Sequence, residues 1–176
     1  SQATKDTEAL WRRSLAAQDE NPVVRLYLAD EILARRPTME SAEEALALLQ
    51  PALEQAGESQ TIHVARSRAL DLLGRTEEAD AELEQAVDLG RRKQLRWETA
   101  VQAARRLAEA GKHDEAHGVL RLSRPRWSLE EERLAEAHAE VCLDAEDPAG
   151  YLLWNAELLR WRPFSIVLWS NREAVA

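Results

Sequence analysis

The sequence predicts an all-α protein built as a solenoid of repeated helix–turn–helix units. Residues that favour helices (Ala, Leu, Glu and Arg) dominate the 176-residue chain, and no stretch shows the two-residue alternation typical of a strand. A set of small and large apolar residues also recurs along the chain at intervals of 33–37 residues. Recurrence at such a period indicates a repeat architecture with no single globular core.

The repeat is clearest in residues 72–87, where one helix ends, the chain turns at Gly74 and a second helix follows. Ala79, Leu83 and Ala86 share one face of that second helix, because residues three and four apart lie on the same side. The same small–large–small spacing occurs in three other predicted second helices, at Ala45, Leu49 and Ala52, at Ala116, Leu120 and Ser123, and at Ala149, Leu153 and Ala156.

The run of Gly74, Ala79, Leu83 and Ala86 resembles the inner half of a tetratricopeptide (TPR) repeat, and Gly111 begins a similar pattern 37 residues later. TPR units are helix–turn–helix repeats of about 34 residues. The resemblance implies a right-handed superhelical α-solenoid that binds a protein or peptide on its concave face.

We predict a single TPR-like array over residues 1–176. Its parts are a half repeat at 6–22, repeats at 23–57, 60–90, 93–125 and 128–162, and a terminal helix at 163–176.

Local signals set the helix ends within this array. Two residues that precede proline, Asn21 and Asp147, are expected to begin helices, and Ser41 and Ser128 are expected to act as N-caps. Gly57 and Gly90 are expected to end helices. Pro51 is expected to kink or shorten the helix that contains it.

Composition limits the classes of function. The net charge of −9 argues against nonspecific binding of nucleic acid or anionic membranes, and no apolar run is as long as a membrane span. One cysteine, Cys142, excludes an internal disulfide and leaves periplasm and cytoplasm both open. The chain begins at Ser1 without Met and ends at Ala176 within a helical pattern, so we expect a segment of a larger protein.

The sequence does not predict catalysis, a metal or a cofactor. His113 and His117 lie four apart, a spacing that can bind zinc, but Asp114 stands where the metalloprotease pattern has Glu. No third His or Cys is near them in sequence. We expect both histidines on a solvated helix edge.

Two arginines occupy matching positions in successive repeats. Arg68 and Arg105 are 37 apart, and each lies six residues before a turn glycine. The TPR resemblance implies that this place faces the concave groove, and His138, six before Asp144, is the expected equivalent in the fourth repeat. We predict that these side chains bind an acidic or carboxylate-bearing partner. The alternative is salt bridging to Asp71 or Glu109.

Two tryptophans lie in equivalent connections between repeats, in Arg124-Pro125-Arg126-Trp127 and Arg160-Trp161-Arg162-Pro163. Trp and Arg are enriched at interface hot spots, so Trp127 and Trp161 are further candidates for partner binding. The alternative is that they pack one repeat against the next.

We therefore predict a protein-interaction scaffold segment of a larger protein. The 20 Arg against 3 Lys suggest a bacterium with a GC-rich genome. Alternatives are a periplasmic TPR scaffold of an exopolysaccharide export machine, a cytoplasmic TPR regulator or a self-assembling spacer, with an enzyme fragment the least favoured. An apolar cluster in the terminal helix, from Phe164 to Trp169, predicts a capping contact and weak self-association.

Overall fold

The structure is a computed structural model that describes residues 2–17 and 21–161, with side chains from residue 7 onward. The predicted terminal helix at 163–176, with its proposed capping and self-association, lies outside the described residues. Helices account for almost all of the described chain, and their bounds are α1 Gln2–Ala17, α2 Pro22–Arg35, α3 Met39–Ala56, α4 Gln60–Leu72, α5 Thr76–Arg92, α6 Trp97–Glu109, α7 His113–Leu122, α8 Ser128–Asp144 and α9 Pro148–Trp161.

The all-α prediction is confirmed over these ranges, where the only extended pairing is one isolated parallel bridge between Leu95 and Ser123. The chain divides into two compact units, unit 1 at residues 1–89 and unit 2 at residues 90–176. In unit 1, α2 packs against α1, α3 and α4, and α3 packs against α4. In unit 2, α8 packs against α6, α7 and α9, and α6 packs against α7. The single array and its repeat boundaries stay predictions.

The packing face is confirmed in three of the four second helices. The buried residues are Ala45, Leu49 and Ala52 in α3, Ala79, Leu83 and Ala86 in α5, and Ala116, Leu120 and Ser123 in and just after α7. Alanine at these places lets neighbouring helices approach closely, while each buried leucine contributes about 1.5–3 kcal/mol of hydrophobic stabilisation.

In α9 the predicted packing face is wrong. Leu153 is 64% exposed and Ala149 is also exposed. The buried face instead carries Tyr151, Asn155 and Leu158, which keep the spacing of four and three but start two residues later.

The turn before α9 explains this shift. Gly74 and Gly111 have φ of 71° and 73°, and Glu146 adopts the same left-handed region at 52°. At each turn the following residue donates its N–H to the carbonyl five positions back, at 2.9 Å from Arg75, 2.8 Å from Lys112 and 2.9 Å from Asp147. This is the bond of a Schellman ending. The third turn is therefore built on Glu146, where the other two have glycine.

Several predicted helix ends are confirmed. Asn21 caps α2, and its side chain accepts a hydrogen bond from Val23 N at 3.0 Å. Asp147 precedes α9 and accepts from Gly150 N at 3.0 Å. Gly57 ends α3 with φ of 64°.

Others are wrong by a few residues. The N-cap of α3 is Thr38, whose Oγ1 accepts from Ser41 N at 3.2 Å, so Ser41 already lies inside the helix. The N-cap of α8 is Trp127 rather than Ser128. Gly90 lies within α5 and does not end it. Because α3 continues past Pro51 to Ala56, the helix is not shortened there, and the alternative of a kink stays a prediction.

Candidate functional site

The first helices of the predicted repeats are α2, α4, α6 and α8. Each of the two predicted groove arginines pairs with a carboxylate on the other first helix of its own unit. In unit 1, Arg68 Nη1 lies 3.3 Å from Asp30 Oδ1 on α2. In unit 2, Arg105 Nε and Nη2 reach the two oxygens of Glu140 on α8, at 3.0 and 3.2 Å. The ion-pair alternative therefore occurs with partners other than the Asp71 and Glu109 that the sequence suggested.

These pairs leave the arginines accessible. The four side chains are between 41% and 52% exposed. Burial raises the pKa of Asp30, and the positive charge of Arg68 opposes that effect without cancelling it. Exposed ion pairs contribute about 0–1 kcal/mol, so a ligand carboxylate competes with them on nearly equal terms. The bond to Asp30 also uses only one of the five N–H donors of a guanidinium.

His138 does not lie at the place equivalent to Arg68 and Arg105. Counting six residues back from the turn residue Glu146 leads to Glu140, so the sequence assignment was two residues early. The first-helix positions thus carry opposite charges within each unit, Asp30 with Arg68 and Arg105 with Glu140.

His138 is instead buried in a stack of three rings in unit 2. It lies against Trp154 with ring centroids 4.0 Å apart and planes 4° apart, and against His117 at 5.0 Å and 12°. Its Nδ1 is 2.7 Å from His117 Nδ1, so one nitrogen donates and the other accepts. Burial, His117 and Arg121 lower the pKa of His138 to about 4, so the ring is neutral at pH 7.

His117, which belongs to the stack, also contacts Cys142. His117 was expected on a solvated edge, but it is half-buried, and burial is the main cause of its lowered pKa. Its Nε2 lies 3.6 Å from Cys142 Sγ. Burial and nearby Asp147 raise the pKa of the Cys142 thiol, which disfavours the reactive thiolate.

The stack does not form a metal centre. The two nitrogens of His117 face different partners, His138 and Cys142, so the three groups do not converge on one point. Within residues 2–17 and 21–161, no group of three His, Cys, Asp or Glu side chains is arranged to hold a metal ion. Sequence reasoning missed the cluster because its members come from different helices.

A second polar cluster, in unit 1, joins three helices. Glu82 accepts hydrogen bonds from His63 Nδ1 at 2.7 Å and from Arg66 Nε at 2.8 Å. Arg66 Nη1 also donates to Gln50 Oε1 at 2.7 Å. Burial acts to raise the pKa of Glu82, but the hydrogen bonds from His63 and Arg66 outweigh it, and the pKa is lowered. His63 and Arg66 therefore have a structural role, since they join α4 to α3 and α5.

The two candidate tryptophans differ in their surroundings. Trp127 is 71% exposed, which excludes the alternative that it packs one repeat against the next. It borders a cleft of about 280 Å³ with Gln94, Arg124 and Arg126. Trp161 is 39% exposed and lies at a larger cleft of about 440 Å³ that Trp154 also lines.

Comparison with known proteins places the fold. The crystal structure of a thermophilic TPR protein from Thermus thermophilus is similar to this chain, with a TM-score of 0.72 and 20% sequence identity. The alignment covers 98% of this chain and 90% of the Thermus chain. The described chain therefore has a TPR-like α-solenoid fold, as predicted. No family model matches the sequence, and no curated protein does. Within the described ranges, no helix combines the length and apolar character that crossing a bilayer requires.

Proposed function

We propose that this chain is a non-catalytic protein-interaction scaffold in which the first helices of each unit carry a surface that binds a partner segment. The observation that carries the proposal is the TPR-like fold over 98% of the chain. Repeat solenoids of this kind present extended binding surfaces, because each repeat contacts only its neighbours.

The proposed contacts are Arg68 on α4 and Arg105 on α6. Both are half-exposed, and each is held by a carboxylate of the adjacent first helix. A partner that supplies an acidic side chain gains a charge-assisted hydrogen bond to a guanidinium already fixed in position. The partner is therefore expected to be acidic. Because Asp30 and Glu140 lie beside the two arginines, they favour a ligand that carries a hydrogen-bond donor next to each of its own carboxylates.

The test is a pair of matched double variants. Replacing Arg68 and Arg105 with Gln removes both charges without placing a new anion beside Asp30 or Glu140. The control replaces Arg75 and Arg133, two exposed arginines that pair within their own segments. A partner is first isolated from the source cell with the wild-type chain, and its affinity for each variant is then measured by calorimetry.

We expect the Arg68 and Arg105 variant to weaken binding at least tenfold while the control binds as the wild type does. Equal affinities for the two variants would remove the first-helix face from the proposal. A mass that rises with concentration in light scattering, with no partner bound, would favour the self-assembling spacer. A signal sequence in the full-length gene would favour the periplasmic export scaffold, and a gene without one would favour the cytoplasmic regulator.

A further inference from the structure

We propose that the cleft beside Trp127 is a second binding surface, for an acidic peptide segment with an apolar side chain. This cleft, called the Trp127 cleft below, lies entirely within unit 2 and is lined by Gln94, Arg96, Glu98, Arg124, Arg126 and Trp127 among others. It is formed by the connection between α5 and α6, the connection between α7 and α8, and the first turns of α6 and α8. The inference rests on the proposed function only in taking the ligand to be protein.

The first support is Trp127, whose side chain is unfavourable at its position in the helix and adds nothing to the core. Trp127 occupies the N-cap of α8, where Ser, Thr, Asp or Asn would stabilise the helix by accepting a hydrogen bond from its first turn. Its side chain makes no capping bond and is 71% exposed. An indole at this place stabilises neither the helix start nor the core. Such local conflicts are typical of functional positions.

The second support is that the walls of the cleft are held in place without a ligand. Leu95 and Ser123 form the parallel bridge between the two connections, and Ser123 Oγ donates to Leu95 O at 3.2 Å. Gln94 then links both sides, because its Nε2 donates to Arg124 O at 3.3 Å and its Oε1 accepts from Arg126 Nη2 at 2.9 Å. The Arg126 guanidinium is thus positioned before binding, which reduces the entropy that binding costs.

The third support is charge. The two connections and the last residues of α5 carry six exposed basic residues, Arg91, Arg92, Lys93, Arg96, Arg124 and Arg126. The chain as a whole has a net charge of −9. A basic patch on an acidic protein attracts an anionic ligand and steers it to one place on the surface.

The carboxylates of the cleft indicate that this ligand is a peptide. Glu130 Oε2 accepts from Arg126 N at 2.6 Å, whereas Glu98 shares Oε1 with Arg96 at 3.3 Å and has an Oε2 that is buried without a hydrogen-bond partner. An unpaired buried oxygen is costly, and a small rotation of Glu98 toward a bound backbone N–H relieves that cost. A peptide supplies such a donor together with carboxylates for the arginines and an apolar group for Trp127.

The experiment measures binding of defined probes to the full chain by fluorescence anisotropy. The probes are a fluorescein-labelled ten-residue peptide of glutamates around a central leucine pair, the same peptide with lysines for glutamates, and a single-stranded ten-nucleotide DNA. The variants are Trp127→Ala, Arg126→Glu and Gln94→Ala, with Arg133→Glu as control. Arg133 is an exposed arginine on α8 that pairs with Glu136 and is absent from the cleft lining.

We expect the acidic peptide to bind the wild type and the control alike, and the lysine peptide to bind at least tenfold more weakly. Trp127→Ala and Arg126→Glu should each weaken binding at least tenfold, and Gln94→Ala by a smaller factor because it only positions Arg126. Unchanged melting of each variant by circular dichroism ensures that the fold is intact.

Three results would overturn the proposal: no preference for the acidic peptide, equal binding by Arg126→Glu and the control, or tighter binding of DNA than of peptide. If Trp127→Ala loses the acidic peptide but still binds the partner through Arg68 and Arg105, the Trp127 cleft and the first-helix face are two different binding surfaces.

Discussion

Lowering the pH should destabilise unit 2 through the ring stack of His117, His138 and Trp154. The pKa of His138 is about 4 in the folded protein, against 6.5 for an ordinary histidine. The unfolded chain therefore takes up a proton that the folded chain refuses. The stabilisation is fully present above pH 6.5 and is lost progressively as the pH falls toward 4.

The magnitude follows from the difference between the two pKa values. At 1.36 kcal/mol for each pKa unit, the full loss is about 3 kcal/mol, of which most is reached by about pH 4.5. The lowered pKa of His117 acts in the same direction. Two protonated imidazoles cannot share the 2.7 Å Nδ1–Nδ1 contact, so both rings resist charging together.

The assay is urea unfolding of the full chain followed by circular dichroism, at pH 7, 5.5 and 4.5. Carboxylates such as Glu82 also titrate toward the acid end, so the matched variant is His138→Phe, which keeps an aromatic ring against Trp154 but cannot take a proton. The wild type should lose about 2–3 kcal/mol more than this variant between pH 7 and 4.5. Parallel pH profiles for the two proteins would refute the reasoning.

Three further predictions concern the packing faces and the turns. Ala79→Asp places a carboxylate at a fully buried site and should lower the free energy of unfolding by several kcal/mol. Ala81→Asp, on the exposed side of α5, should lower it by less than about 1 kcal/mol. Equal melting temperatures for the two variants would show that the buried face of α5 is misassigned. Tyr151→Ala should destabilise the fold by about 3 kcal/mol, whereas Leu153→Ala should cost about 0.5 kcal/mol or less, because Tyr151 is buried and Leu153 is exposed. Thermal melts compare the two losses, and a larger loss for Leu153→Ala would support the face predicted from sequence. Glu146→Gly relieves a left-handed backbone that costs about 1–2 kcal/mol but loosens the unfolded chain, so it should raise stability by up to about 1 kcal/mol; a clear loss in urea unfolding would contradict a strained turn.

The sequence by itself determined the class of fold and several helix ends, such as those at Asn21 and Gly57. Helical propensity is local, and the small–large–small spacing around Ala79 and Leu83 reports which face a helix buries. Turn glycines such as Gly74 and Gly111 are legible because few other residues adopt a positive φ. These signals act over a few residues, so they can be read without knowing what packs against them.

Tertiary structure decided what those local rules do not contain. Glu146 takes a turn normally given to glycine, and that choice moved the buried face of α9 from Leu153 to Tyr151. The partners of Arg68 and His138 come from other helices, 38 residues away at Asp30 and in the ring stack. A side chain's partner depends on how helices pack, because contacts between distant segments leave no mark in the spacing of either segment alone.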